Sequence, residues 1–448
     1  MIKKTGLAAF SMLFSLPLVS ASGFNLNDGG LNIKELTSGM DVPAVSAAPA
    51  AKAQAEWTVM VFINGKNNLE PYAVMDMNEM EAVGSTDKLN IVVEIGRLAG
   101  RRAAAVSGDD WEGTRRYLIK KDADMDKLSS EMIADMGTVD MGDYKNLAAF
   151  GKWAKQAYPA KKYMLIVWNH GSGWEKGLKS RVSKGISYDD QSGNHINTPQ
   201  LGQALKEMGH VDVYGSDACL MQMPEVDYEL KDYADYIVGS EETEPGDGYT
   251  YNKFLAPVAA NPAMSPAELA KTAVDAYSDH YAAQKTGSTQ SFVKTAALPG
   301  LVQRVNDWTK AVMAAGLKTE VNNARELSAS YAVAENKDLY HFVRLVSDRT
   351  QDPALKARSE DLMKFISGEL VMHNRTNNQP GSSGGWDGGW DEDYMMAGKG
   401  SRWGAKDYSE SHGIAVYLPG YSMGEGYNEL AWAAASNWDE FIAWYMKK

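Results

Sequence analysis

Apolar runs of strand length alternate with segments of helical spacing through the first half of the chain. Continuous apolar runs predict buried strands at residues 57–63, 89–95, 163–168, 211–216 and 236–240, with a further strand at 116–119. Helical spacing and start signals predict helices at residues 69–83, 143–157, 198–208 and 224–230. This alternation is typical of an α/β sandwich whose mostly parallel central sheet is covered on both faces.

Two of the predicted helices begin at recognisable start signals. Asp143 precedes the helix at 143–157 and is a good N-cap residue, because its carboxylate accepts from backbone N–H groups of the first turn. Thr198 followed by Pro199 is typical of an N-cap and a first helical position. These signals predict where both helices begin.

The N-terminus carries the features of a secretory signal peptide. Lys3 and Lys4 precede a mostly apolar stretch at 7–18, and Val19-Ser20-Ala21 fits a small-x-small cleavage signal. We expect cleavage between Ala21 and Ser22, and an uncleaved N-terminal anchor is the alternative. The stretch is too short to span a bilayer. The sequence therefore predicts a secreted or periplasmic protein without a membrane span after signal removal.

The organisation changes twice after the predicted signal peptide at 1–21. Residues 22–55 are rich in Ala, Ser, Gly and Asn and predict a flexible linker or pro-segment. Residues 56–255 carry the α/β pattern, and residues 256–448 are mainly helical. The late apolar run at 413–418 predicts one more strand, which we expect to join the sheet.

Composition excludes two classes of protein. The chain has one cysteine in 448 residues, so it cannot be a small scaffold held by internal disulfides. Its formal net charge of −13 repels phosphates, which argues against a nucleic-acid partner. Ordinary hydrophobic and charged fractions, 44% and 23%, indicate a globular protein with a large core.

Two predicted strands end in reactive side chains. One ends at Trp168-Asn169-His170-Gly171, and the other ends at Ser216-Asp217-Ala218-Cys219. Sites in open α/β sheets form at the carboxyl edge of the strands, so neighbouring strands would bring His170 and Cys219 into one crevice. A thiol is a weak nucleophile until a base such as imidazole takes its proton. The spacing of 49 residues is close to the value of about 50 in caspases.

The backbone N–H groups of Gly171 and Cys219 are candidates for an oxyanion hole. Taken singly, a cysteine at a strand end is usually a small buried hydrophobe, and a lone histidine is usually structural. The pair at two strand ends favours catalysis. His195 lies in a polar turn and His412 precedes a strand, so neither is the expected base.

Competing motifs are weak. Residues 381–385 match G-x-S-x-G, but no apolar strand precedes them to present the serine. The seven histidines include no H-E-x-x-H pattern, and a second cysteine is absent from the sequence, so the residue pattern does not support a zinc site.

The segments Asn169-His170-Gly171-Ser172-Gly173-Trp174 and Asp217-Ala218-Cys219-Leu220-Met221 resemble the two signature blocks of the clostripain family of cysteine peptidases. This family is related to caspases, legumain, gingipains and separase. The segments at 57–64, 241–249 and 411–419 are also similar to it. The resemblance covers residues 56–255 well, with a weaker trace to the C-terminus.

The resemblance implies a caspase-like α/β/α fold, a Cys219/His170 dyad and cleavage of peptide bonds after Arg or Lys. A buried cation needs a carboxylate, for which Asp217 is the first candidate and Asp247 the second. A helix cap is the alternative for Asp217, and a turn is the alternative for Asp247.

Members of this family often cut themselves between the two blocks. The basic, polar segment 176–185 is similar in position, with Lys184 as the first candidate for self-cleavage and Arg181 as the second. An ordinary solvated loop is the alternative. Some relatives require calcium, for which the acidic segment 386–393 or the pair Asp189 and Asp190 offer oxygen ligands, although neither matches an EF-hand.

The sequence therefore predicts a secreted endopeptidase acting on proteins or peptides that contain Arg or Lys. Two alternatives stay open. The chain could be a binding protein that keeps the fold without turnover, or a transpeptidase that uses the same acyl-enzyme. A thiol-reactive probe distinguishes the first alternative, and ligated products distinguish the second.

Overall fold

The computed structural model describes residues 54–98, 111–125, 127–174, 185–380 and 405–447. Several predictions fall outside the described residues: the signal peptide with its site at Ala21, the self-cleavage candidates Lys184 and Arg181, and the segments 381–385 and 386–393.

Among the described residues, nine strands form a central sheet in the order β12-β10-β9-β8-β5-β1-β2-β3-β4. The strands of this sheet are β1 (Ala55–Gly65), β2 (Leu89–Arg97), β3 (Gly113–Leu118), β4 (Met132–Gly137), β5 (Ala160–Trp168), β8 (Val211–Asp217), β9 (Ala234–Gly239), β10 (Ser288–Lys294) and β12 (Val371–Asn377). The five central strands, β9, β8, β5, β1 and β2, are parallel, whereas β10 and β12 on one side and β3 and β4 on the other are joined by antiparallel pairings. The predicted mostly parallel α/β sheet is confirmed.

Helices cover both faces of the sheet. They are α1 (Glu70–Val83), α2 (Tyr144–Ala157), α3 (Thr198–Met208), α4 (Pro224–Leu230), α5 (Tyr251–Ala260), α6 (Pro266–Gln284), α7 (Leu298–Ala314), α8 (Lys318–Leu327), α9 (Leu339–Asp348), α10 (Pro353–Phe365), α11 (Ala431–Ala435) and α12 (Trp438–Met446). Alternate side chains of β1 enter different cores: Met60 and Phe62 pack on one face, and Val59 and Val61 pack on the other. Because β1 is buried on both faces, its sequence is a continuous apolar run rather than an alternating one.

The structure confirms one predicted helix cap and corrects the other. The Asp143 side chain accepts a hydrogen bond from the backbone N–H of Lys145, as expected of an N-cap. The helix predicted to begin with a Thr198 cap is instead capped by Asn197, which forms a reciprocal capping box with Gln200. Thr198 and Pro199 occupy the first helical turn, so the cap lies one residue earlier than predicted.

The late apolar run forms a strand, but the prediction that it joins the central sheet is wrong. Strand β13 (Ala415–Tyr417) pairs with β11 (Asn336–Asp338) in a separate two-stranded sheet. The region after residue 255 joins the central sheet through β10 and β12. A second two-stranded sheet contains β6 (Ile186–Asp189) and β7 (Asn194–Ile196).

Within the described ranges, no helix is both long enough and apolar enough to cross a bilayer.

Candidate active site

Strands β5 and β8 bring His170 and Cys219 to one edge of the sheet. The strands are parallel neighbours, and their register places Trp168 opposite Asp217. The backbone N–H of Asn169 donates to the Asp217 carbonyl at 3.2 Å, so the two chains leave the sheet side by side. His170 and Cys219 each follow by two residues, and both line the same cavity.

Polar contacts hold the His170 loop in place from both sides. Asn169 donates through Nδ2 to the Asn64 carbonyl at the end of β1, and its Oδ1 accepts from the Tyr188 N–H at 2.7 Å. His170 Nε2 lies 2.8 Å from Asn68 Oδ1. An amide oxygen only accepts, so in the neutral ring this contact favours the tautomer with the proton on Nε2 and a free lone pair on Nδ1.

Cys219 lies between the end of β8 and the loop after β9. Its Sγ accepts a hydrogen bond from the Glu244 backbone N–H at 3.3 Å. The next residue, Leu220, has a φ of 66°, a left-handed conformation that is costly for a branched side chain. Such strained backbone often marks functional sites, because the surrounding fold must maintain it.

The thiol of Cys219 is half-buried, and its surroundings oppose ionisation. Burial, followed by the negative charge of Glu244, raises the pKa of Cys219 to about 12. The thiol is therefore neutral near pH 7, and a thiolate forms only if a base takes its proton during the reaction. His170 lines the same cavity.

Gly171 allows the two reactive loops to approach closely. A Cβ at this position would come within 2.4 Å of the Cys219 carbonyl oxygen and 3.0 Å of the Cys219 nitrogen. Any side chain here would separate the loops. The structure thus brings together the backbones of Gly171 and Cys219, the two residues predicted to supply the oxyanion hole.

A cavity of about 570 Å³ opens beside the two reactive residues. Its walls include His170 and Cys219, the acids Asp217, Glu242 and Glu244, and residues from the C-terminal half such as Tyr331, Lys406 and Tyr408. The volume is in the range expected for a ligand pocket.

Asp217 is buried in the floor of this cavity. Its carboxylate accepts from the Tyr249 N–H at 3.1 Å and from the Tyr251 hydroxyl at 2.8 Å. Helix α4 is preceded by Met223, so Asp217 does not cap the helix after Cys219. Burial raises the pKa of Asp217 to about 6, although both donors favour its ionised form.

Glu244, which lies in the family-like segment 241–249 but was not a predicted site residue, also lines the cavity. Its Oε1 lies 3.4 Å from Gln290 Nε2, which donates to it. Burial and the charge of Asp217 raise the pKa of Glu244 well above the ordinary value. The segment 241–249 contains four acids, and the sequence alone did not distinguish Glu244 from the other three.

Asp247 lies on the same loop but points elsewhere. Its carboxylate is 3.3 Å from His280 Nε2 and 3.2 Å from Gln284 Nε2, both on α6. Gly246 and Gly248 line the cavity, whereas the Asp247 side chain is 44% exposed. Asp247 is therefore not among the residues that line the cavity with Asp217.

The C-terminal half supplies one wall of the cavity and is tied to the loop after β9. Glu242 accepts from the Ala332 N–H at 2.9 Å and from the Tyr408 hydroxyl at 3.0 Å. The adjacent Glu241 accepts from the Tyr331 hydroxyl at 2.8 Å. These two buried acids fix the cavity wall to the segments around residues 331 and 408.

The calcium candidates Asp189 and Asp190 differ in their surroundings. The Asp189 carboxylate accepts from three backbone N–H groups, those of Met141, Gln191 and Ser192, and lies 3.6 Å from the buried Lys66 ammonium. These contacts occupy it without a metal. Asp190 is exposed. Within the described ranges, three or more potential His, Cys, Asp or Glu ligands do not converge at any point.

The other two histidines considered, His195 and His412, are not among the residues that line the cavity. The His195 ring stacks on Tyr188 with centroids 5.3 Å apart. His412 Nδ1 lies 3.2 Å from Asp338 Oδ1, and its ring stacks on Tyr340. Both contacts are consistent with structural roles.

Comparisons with known proteins point to one family. The model of the clostripain family matches residues 61–382. Clostripain from Hathewaya histolytica is 27% identical over 269 residues, which cover 56% of this chain and 50% of that protein. The chain thus matches about half the length of this curated relative.

Solved structures share the fold at low sequence identity. A secreted C11 cysteine protease from Bacteroides thetaiotaomicron, bound to an irreversible peptide inhibitor, superposes with a TM-score of 0.62 and 22% identity, covering 86% of this chain and 100% of that one. An inactive zymogen C11 protease from Parabacteroides distasonis superposes with a TM-score of 0.62 and 17% identity, covering 86% and 99%.

Proposed function

Because the chain belongs to the clostripain family, we propose that it is a cysteine endopeptidase that cuts peptide bonds after Arg or Lys. His170 takes the proton of Cys219, and the thiolate attacks the substrate carbonyl. The N–H groups of Gly171 and Cys219 stabilise the oxyanion, and His170 returns the proton to the leaving amine. Water then hydrolyses the acyl-enzyme.

The preference for Arg or Lys is supported by the acids of the cavity. Asp217 and Glu244 line it close to Cys219. The Asp217 carboxylate is buried, and its hydrogen-bond donors are the neutral groups of Tyr249 and Tyr251. A substrate cation would compensate this charge, whereas an apolar side chain would leave it uncompensated. The buried carboxyl group of Asp217, in the wall of the cavity that Cys219 also lines, is the single observation that carries the proposed specificity.

Peptides that differ only in the residue before the scissile bond test the proposal. We expect mass spectrometry to show cuts after Arg and Lys, with kcat/KM for Arg at least ~100-fold above that for the uncharged isostere citrulline. Cys219→Ala and His170→Ala should remove this cleavage. His210→Ala is the matched control, because His210 pairs with Asp235 at the opposite edge of the sheet. This variant should cleave the peptides as wild type does.

Other products would support the alternatives. Ligated peptides instead of hydrolysed ones would indicate a transpeptidase. A protein that neither cuts these peptides nor reacts with iodoacetamide at Cys219 would be a binding protein of the same fold. Equal cleavage after Arg and citrulline would contradict the proposed specificity.

Self-cleavage after Lys184 or Arg181 belongs to the same proposal. Both bonds lie between Trp174 and Gly185, on the chain that connects the His170 loop to β6. We expect wild-type protein to separate into two fragments at one of these bonds and Cys219→Ala to stay intact. The double variant Lys184→Gln, Arg181→Gln should also stay intact. Its activity on peptides then shows whether self-cleavage is required for catalysis.

A further inference from the structure

We propose that Lys66, just after β1, is a positioning residue for His170. Its ammonium group, the Val139 carbonyl and the side chains of Asp189 and Gln191 form an ammonium clamp. This clamp fixes the two chain segments that hold the His170 loop. The inference rests on the proposed function, because it concerns the base of that reaction. Lys66 is not among the residues that line the cavity.

The ammonium clamp lies in the interior of the protein. Lys66 Nζ donates to the Val139 carbonyl and to Gln191 Oε1, the latter at 3.0 Å, and lies 3.6 Å from Asp189 Oδ2. The side chains of Lys66 and Asp189 are both 0% exposed. A buried ion pair contributes little net stability, because both charges lose their hydration. We therefore infer that this pair serves to specify one arrangement of the segments that it joins.

Strand β2 leaves a path for the Lys66 side chain to reach the clamp. Gly96 pairs with Asn64 where β2 and β1 end side by side. A Cβ on Gly96 would come within 3.2 Å of both Cγ and Cε of Lys66. Because protein interiors are close-packed, a side chain at position 96 would displace the lysine stem. The glycine thus admits the lysine to the interior.

One clamped segment is the loop after β1, in which Lys66 lies between two residues that contact the His170 loop. On one side of Lys66, the Asn64 carbonyl accepts from Asn169 Nδ2. On the other side, Asn68 Oδ1 lies 2.8 Å from His170 Nε2. A displacement of Lys66 would therefore disturb both contacts.

The second clamped segment is β6 with the turn after it. The Tyr188 N–H donates to Asn169 Oδ1 at 2.7 Å, so β6 holds the same loop from its other side. Asp189 and Gln191, which grip the ammonium group, follow directly. The preceding Ser187 has a φ of 63°, a conformation that is costly for any residue except glycine. The surrounding contacts must maintain such strained backbone.

Removing the ammonium group should loosen the clamp without unfolding the protein. Asp189 would still accept from the backbone N–H groups of Met141, Gln191 and Ser192, which compensate part of its charge. The two segments would then hold the His170 loop less firmly. Proton transfer from the thiol should slow, because it requires hydrogen-bond geometry between base and nucleophile.

Alkylation of the thiol tests the clamp without any peptide. Iodoacetamide reacts with the thiolate, and Cys219 is the one cysteine of the chain. Its alkylation rate at pH 7 therefore reports how well His170 takes the proton. We expect Lys66→Met, which keeps most of the stem but not the charge, to slow this rate by ~10- to 100-fold, the scale expected when a reacting group is displaced by about 1 Å.

Lys155→Met is the matched control. The Lys155 ammonium donates to three backbone carbonyls, those of Met208, Gly209 and His210, just before the start of β8. This variant also removes a half-buried ammonium group with several oxygen partners, but at a site remote from the His170 loop. Its alkylation rate should stay within ~2-fold of wild type.

Gln191→Ala tests the clamp without leaving a buried charge unpaired, so the test does not depend on the folding of Lys66→Met. Gln191 is exposed and supplies one acceptor of the clamp. Its loss should slow alkylation by ~3- to 10-fold, the scale of one hydrogen bond.

Peptide kinetics supply a second readout, with kcat counted per active site titrated by an irreversible inhibitor. Lys66→Met should lower this kcat by ~10- to 100-fold. KM and the Arg-to-citrulline ratio should stay within ~2-fold, because Lys66 lies outside the cavity lining. Loss of folded protein alone would reduce the number of titrated sites but not kcat per site. Asp189→Asn should also lower kcat, and the double variant should cost no more than the larger single effect.

The proposed function and the clamp fail in different ways. If His170→Ala is alkylated as fast as wild type, His170 is not the base and the proposed function is wrong. If His170→Ala is slow but Lys66→Met and Gln191→Ala match wild type, the clamp does not position His170. Equal slowing of Lys155→Met and Lys66→Met would show a general loss of stability and would also overturn the clamp.

Discussion

Two pairs of buried acids flank the Cys219 loop, and they differ in their access to the cavity. Asp217 and Glu244 line the cavity. Glu225 and Asp227, on α4, are 0% exposed and lie under the C-terminal segment. Glu225 Oε1 accepts from the Tyr417 N–H at 3.1 Å and the Tyr427 hydroxyl at 2.9 Å, so this pair is sealed.

The comparison shows that a raised pKa does not by itself mark a functional acid. Burial raises the pKa of Glu225 to about 7 and that of Asp217 to about 6. In the sealed pair, no ligand cation can reach an ionised carboxylate, so its charge would stay without a compensating charge. In the open pair, a ligand cation can compensate the charge. Access to the cavity therefore separates a binding group from a structural one.

The largest effect should come from neutralising Asp217. Asp217→Asn keeps the shape but removes the charge that compensates the substrate cation. We expect the ratio of kcat/KM for Arg over citrulline peptides to fall by ~100-fold or more, since breaking a buried ion pair costs about 3–5 kcal/mol. Steady-state kinetics with the matched peptides measure this ratio.

The sealed pair supplies the control for this experiment. Asp227→Asn removes an equally buried carboxyl group, but one that lies outside the cavity lining. It should leave the Arg-to-citrulline ratio within ~3-fold of wild type. A large change in this ratio for Asp227→Asn would show that burial, rather than access to the cavity, governs the selectivity.

A smaller effect is expected at the sealed pair, where replacing Glu225 should change how the free energy of unfolding depends on pH. In the unfolded chain Glu225 ionises near the ordinary glutamate value of 4.5, whereas burial raises its pKa in the folded protein to about 7. The protonated Glu225 therefore stabilises the folded protein fully below the pKa of the unfolded chain, and this stabilisation is lost as the pH rises through the pKa of Glu225 in the folded protein. The loss is on the order of 3 kcal/mol. Glu225→Gln should remove it, so urea unfolding at pH 5 and pH 8 should differ less than in wild type.

Glu440→Gln is the matched control for this stability measurement, because Glu440 is exposed on α12. It should keep the pH dependence of wild type. A Glu225→Gln protein that loses stability between pH 5 and pH 8 as steeply as wild type would show that Glu225 is not the group responsible.

The sequence predicted the parallel centre of the sheet because strands buried on both faces read as apolar runs. It missed β10, whose residues Ser288–Lys294 include buried polar side chains. The hydroxyl of Thr289 forms a hydrogen bond with the hydroxyl of Ser240, a partner that no local pattern reveals. It also missed β4, an edge strand whose residues are mostly exposed. The run at 415–417 showed a strand but not its partner, since periodicity carries no pairing information.

For the site, strand ends were sufficient to find His170 and Cys219, because parallel neighbours end at one edge. Residues from other segments were beyond this reasoning. Asn68 reaches His170 across 102 residues of sequence. Glu244 lines the cavity and Asp247 does not, and Asp247 lies in a turn in which the Gly248 N–H donates to the Pro245 carbonyl. Four acids in one short segment look alike until this turn is known.

The smallest effect should come from Asn68, and it should appear in kcat rather than in the Arg-to-citrulline ratio. Asn68 contacts His170 rather than the cation pocket, so Asn68→Ala should lower kcat about tenfold, the value of one lost hydrogen bond of about 1.4 kcal/mol. The Arg-to-citrulline ratio should not change.

Asn68→Asp sharpens this last test. A carboxylate 2.8 Å from Nε2, in place of the amide oxygen, would favour the imidazolium form of His170 and raise its pKa. The acidic limb of the kcat/KM profile should therefore move to higher pH, by about one unit. Asn68 acts as a positioning residue for His170 only if the profile moves for Asn68→Asp and kcat falls for Asn68→Ala. An unchanged profile with unchanged kcat would mean that His170 holds its tautomer without Asn68.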